Sequence, residues 1–140
     1  MPGLLPLTKL TLAVSALVQF VFGAADLFAK PLVDAFLWPP PLEAWPTLAL
    51  QYNGALYLAS ALGAAYALSQ DHWYAARTYL AIAGPYNALS IVLALLAAAT
   101  PPGIPPIMWL YVVLALVYVP VVAWVWSRES ARAALPATAG

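Results

Sequence analysis

Apolar residues run almost unbroken through four stretches of the chain, at about residues 8–29, 51–69, 74–99 and 107–126, with polar and proline-rich segments between them. Each stretch has about 20 residues, the length a helix needs to cross ~30 Å of hydrocarbon. The pattern predicts an all-α fold: an integral membrane four-helix bundle running up, down, up, down, in one domain over residues 1–140. Within the second stretch the small residues Ala55, Ala59, Gly63 and Ala67 recur every four positions and would line one side of a helix. Apolar attraction between helices largely vanishes in lipid, and close approach through small residues replaces it. This stripe is therefore the expected packing seam.

The intervening segments set the boundaries. Lys9 followed by an apolar run and Gly23-Ala24-Ala25 also fits a cleavable signal peptide; a retained first helix is the expectation here. Residues 31–50 carry Pro39, Pro40 and Pro41 with Trp38 and Trp45, a composition unsuited to a helix interior and suited to the membrane–water boundary. They are expected to form an outer loop. Gln70-Asp71-His72 is short enough for a hairpin, and Thr100 to Pro106 is a second proline-rich turn. Pro85 and Pro120 fall inside the third and fourth stretches, where each removes a backbone donor and predicts a kink. Residues 127–140 read as a polar, alanine-rich tail.

Composition agrees with a lipid solvent. Hydrophobic residues make up 65% of the chain and charged ones 7%, against about 25% charged in soluble domains. Acids and bases balance at five each, so nothing in the charge points to nucleic acid. In the four-span topology Lys9, Arg77, Arg128 and Arg132 share one side and Lys30 stands on the other. The bias places both termini in the cytoplasm and the chain in the inner (plasma) membrane.

Candidate chemistry is sparse. The chain has no cysteine and a single histidine, His72, which excludes thiolate chemistry and a bis-imidazole haem and leaves too few ligands for a metal. No cofactor and no catalytic set is expected. Asp26 and Lys30 stand four apart at the outer end of the first helix, and two arrangements are open to Asp26. It can pair with Lys30 along the helix, or turn inward toward Asn53 and Tyr111. In the second case Asp26, Lys30, Tyr52, Asn53 and Tyr111 would border an outward-facing polar pocket. Asn53 fits a helix cap or an interhelical hydrogen bond equally well, and Asn87, after Gly84-Pro85, can satisfy carbonyls near the kink.

Several short motifs, Phe36-Leu37-Trp38-Pro39, Leu42, Trp45-Pro46, Gly54-Ala55, and Asp71 and Trp73 before Arg77, resemble DoxX-like bacterial membrane proteins. The resemblance implies a four-helix membrane fold with a Trp-Pro outer loop and, since none of these motifs is catalytic, no activity. A sterol-isomerase-like (EXPERA) bundle also carries an acid in its first helix, but Asn53 stands where a second carboxylate is wanted. Two functional expectations follow. One is a non-enzymatic accessory or assembly subunit, in contact with lipids and with other membrane subunits or a second copy. The other is a binder or minor enzyme for a lipid, quinone or other apolar molecule.

Overall fold

The computed structural model describes residues 3–28, 44–99 and 108–134. They form four helices and no strand: α1 (Pro6–Phe28), α2 (Ala44–Gln70), α3 (Trp73–Ala98) and α4 (Met108–Ala133). Three of them, α1, α3 and α4, are long and apolar enough to cross a membrane. α2, read from sequence as the central span, is not among them; Gln51, Tyr52, Asn53 and Gly54 dilute its apolar character. α2 also begins at Ala44 rather than 51, with Pro46 in its first turn, where a missing N–H has no helical partner to lose. α4 runs past the expected end at 126 to Ala133. Lys30, the Pro/Trp loop through residue 43, the turn 100–107 and the tail beyond 134 lie outside the described residues. Pro85 and Pro120 both sit inside helices that continue past them.

α1 shows how this chain folds against lipid. Its buried face is the polar one: Thr8, Thr11, Ser15 and Asp26 are buried alongside Leu12 and Gly23, while Leu10, Val14, Leu17, Phe20 and Val21 are exposed. In water that arrangement would be inside out. Hydrocarbon offers no hydrogen bonds, so polar groups must find partners within the bundle and apolar ones can face out. Leu62, Ile82 and Val117 continue the apolar exterior on the other helices. The shared core is small, with Leu12, Ala64, Leu80 and Val125 at its centre.

The tightest contact is between α1 and α2. A methyl group added at Gly23 would come within 2.9 Å of the Gly54 carbonyl oxygen and the Leu58 nitrogen; one added at Gly54 would meet Gly23 O and Asp26 Cβ at the same distance. Only glycine at both positions allows backbones to approach so closely. The anticipated stripe is thus misplaced. Ala55 and Ala59 are exposed, Gly63 is half-buried beside the Tyr79 ring, and only Ala67 is fully buried; the residues facing inward are Gly54, Ala61, Ala64 and Ala67.

At the other end, two elements converge on the amides that lead into α1. Asp71 Oδ1 accepts from Leu4 N (3.0 Å), and Glu129 Oε1 accepts from Leu5 N and from Thr8 Oγ1, each at 2.7 Å. The first N–H groups of a helix have no partner within it and carry its positive dipole end, which two carboxylates satisfy here. Lys9 Nζ pairs with Asp71, and Arg132 pairs with Glu129 and reaches Gly3 O. Asp71 takes a left-handed backbone, φ 47°, which turns α2 into α3, and His72 caps α3 by accepting from Ala75 N. The Lys9 and Leu4 donors hold the Asp71 carboxyl below the usual carboxylate range. A lowered value stabilises the fold above that range, and the contribution fades as pH falls through the lowered value.

The glycine pair gives a direct test. Replacing Gly54 by leucine should force α1 and α2 apart and lower stability in a detergent unfolding assay by ~1–3 kcal/mol, the usual scale of overpacking. Gly63→Ala, whose methyl would meet only the Tyr79 ring at 3.5 Å, should be tolerated. Equal effects of the two substitutions would show that the close crossing does not hold the pair together.

Candidate functional site

Helix pairing leaves a gap. α1 packs along α2 and α3 along α4, whereas α1 and α4 scarcely touch. Between them lies a cleft of about 580 Å³, walled by α1 from Leu7 to Phe22, by α4 from Tyr111 to Val121 and by shorter stretches of α2 and α3. Among the described residues that line it none is charged. Its walls are leucine, valine and isoleucine, interrupted by hydroxyls and amides: Ser15, Gln19, Tyr57, Ser60, Tyr86, Asn87, Tyr111 and Tyr118.

These polar groups bridge the gap where backbones do not. At mid-depth Ser15 Oγ donates to Tyr118 Oη (3.1 Å) and Gln19 Nε2 donates to Tyr79 Oη (2.9 Å). These two bonds tie α1 to α4 and to α3. Gln19 Oε1 is buried and accepts from no described residue. Toward the Phe22 end the cleft closes on aromatic rings: Phe22 meets Tyr111 with centroids 4.3 Å apart, and Tyr57 stacks on Tyr111 at 6.3 Å. Such separations suit offset or tilted ring pairs, each adding ~0.5–1.5 kcal/mol beyond burial.

Asp26 and Asn53 stand behind this wall rather than in it. Asn53 Nδ2 donates to Asp26 Oδ2 at 2.9 Å, and Asp26 is 3% exposed. The bond crosses from α1 to α2 beside the Gly23–Gly54 contact, and the pairing of Asp26 with Lys30 lies outside the described residues. Tyr57, one turn along α2 from Asn53, lines the cleft edge. Tyr52 is 70% exposed; among the described residues of the anticipated pocket, Tyr111 alone lines the cleft. Asn87 donates to Ala83 O at 2.8 Å, bridging the Pro85 turn. No group of three or more histidines, aspartates or glutamates able to hold a metal occurs among the described residues.

Gln19, Tyr57, Tyr86 and Tyr118 were missed from sequence. The signal lay in α1: Thr8, Thr11, Ser15 and Gln19 fall at spacings of three and four, a polar row on one helix face. In a membrane helix such a row marks the inward side.

Gln19→Leu tests what the mid-depth amide does. The change removes a buried oxygen that accepts from no described residue, together with the bond to Tyr79. Stability should shift by no more than ~1 kcal/mol in either direction. A loss of several kcal/mol on unfolding in detergent would show that the amide is a structural tie. Comparison of the chain with protein-family models, with curated proteins and with solved structures finds no match to any of the three.

Proposed function

We propose that this chain is a small multi-pass protein of the inner (plasma) membrane that holds one elongated, lipid-soluble molecule in the cleft between α1 and α4. The shape of the cleft carries the reading. From Leu7 to Phe22 it follows α1 for roughly 22 Å at 1.5 Å per residue. Its volume is about 580 Å³. A groove of that length with apolar walls suits a single hydrocarbon or isoprenoid chain lying along α1. The volume falls within the 300–1,000 Å³ common for ligand sites, and apolar walls with a few placed polar groups are their usual chemistry. Gln19 and the phenols at the Phe22 end supply hydrogen bonds to a polar function on an otherwise apolar molecule. None of the described residues that line the cleft is charged, and the reading is of binding.

The topology belongs to the same reading. Lys9 and Arg132 meet at the end where α1 starts and α4 finishes, and Arg77 and Arg128 belong to the turns nearest that end. Cytoplasmic loops are enriched in lysine and arginine. Both termini therefore face the cytoplasm in an up-down-up-down bundle. A reporter fused after Gly140 should work only if it is active in the cytoplasm, and activity of a periplasm-only reporter would reverse the orientation.

The ligand is tested by native mass spectrometry of the full chain released from mild detergent. One apolar adduct per chain is expected. Val14→Trp, which places a large ring into the cleft from an exposed wall position, should reduce occupancy at least tenfold while the protein stays folded. Unchanged occupancy in that variant would remove the cleft as the site. A stoichiometric protein partner with an empty cleft would favour the accessory-subunit reading instead.

A further inference from the structure

A second recess lies near the end of α4, formed by Leu5, Trp124, Arg128, Ala131 and Arg132, with a volume of about 450 Å³. It shares no lining residue with the cleft. Trp124, Arg128 and Arg132 succeed one another at intervals of four, so they stand on one side of the helix. From the geometry of this recess we infer a seat for the anionic phosphate head of a membrane lipid.

Three observations support a phosphate. Arg128 has no carboxylate within ion-pair distance among the described residues, and its guanidinium lies over the Trp124 ring, 5.3 Å from the centroid. A cation held over a ring face keeps its N–H groups available to an acceptor. Arg132 brings a second guanidinium. It spends one nitrogen on Glu129 (3.1 Å) and reaches Gly3 O at 3.4–3.5 Å, so it is positioned before any ligand arrives. Glu129 offsets one of the two positive charges, and the recess keeps a net charge of about +1 from these three groups.

The surroundings specify a lipid rather than a free ion. Trp124 sits where the apolar run of α4 gives way to Ser127, Arg128 and Glu129, the depth at which tryptophan marks the headgroup level. Leu5 and the Trp124 ring give the recess an apolar side against which glycerol and the first carbons of a chain can lie. Arg77 makes an informative contrast. It also lies over an aromatic ring, that of Tyr74 at 5.5 Å, but borders no part of this recess.

The test uses the full chain in a nonionic detergent, titrated with phosphatidylglycerol or phosphatidylcholine and read by native mass spectrometry. Phosphatidylglycerol should bind the wild type about fivefold tighter than phosphatidylcholine, the scale of one arginine near an anionic surface. Arg128→Gln should abolish that preference, Arg128→Lys should restore part of it, and Arg77→Gln should leave it unchanged. Millimolar inorganic phosphate should not displace the lipid. Equal weakening by Arg77→Gln and Arg128→Gln would overturn the proposal by showing diffuse surface charge. Displacement by inorganic phosphate would overturn it in favour of a free-anion site, and equal binding of both lipids would overturn it outright.

Discussion

The unpartnered amides at the start of α1 set the arrangement of everything else. A helix cannot satisfy its own first N–H groups, and at a membrane boundary water is a poor substitute once the bundle has closed over them. Here the acceptors come from far along the chain: Asp71 in the α2–α3 turn and Glu129 near the end of α4. Both interactions place one end of α1 against two other elements at once. Lys9 and Arg132 then balance the two carboxylates, so the cluster is close to neutral and can stay partly buried.

That fixed end, with the Gly23–Gly54 contact toward the opposite one, explains why the cleft exists. α1 is held against α2 along its length and is tied to the foot of α4, but nothing of comparable strength draws the upper parts of α1 and α4 together. The gap is spanned by side chains, through Ser15–Tyr118 and Phe22–Tyr111. Long phenolic side chains can reach across an opening that small residues would have closed. The cleft is thus a product of where glycine is and where it is not.

The membrane helices were legible in the sequence because about 20 apolar residues in a row have few alternatives. α2 was the least accurately read, both in where it begins and in which face it buries. In an alanine-rich segment almost any four-residue spacing yields a small-residue stripe, so Ala55, Ala59 and Gly63 looked as eligible as Ala61 and Ala64. Which stripe packs depends on the partner, and Gly54 finds its own in Gly23, a relation across helices that spacing within one helix does not contain. Asp26 meeting Asn53 was one of the arrangements the residues permitted. The phenol-lined cleft was legible only through Tyr111, because tyrosines in separate helices reveal their convergence only once the helices are placed. Glu129 was read as part of a polar tail, and its burial depends on the α1 amides it serves.

The capping by Glu129 also bears on the order in which the protein can be made. The first helix leaves the ribosome more than a hundred residues before the carboxylate that completes its N-terminal end. Asp71 arrives earlier, with the second turn, so α1 can acquire one of its two caps while α4 is still being synthesised. Until the last helix inserts, Leu5 N and Thr8 Oγ1 have no acceptor from Glu129. Maturation of this bundle is therefore completed from its C-terminal end, and a nascent chain cut short before residue 129 would hold its first helix at one point instead of two.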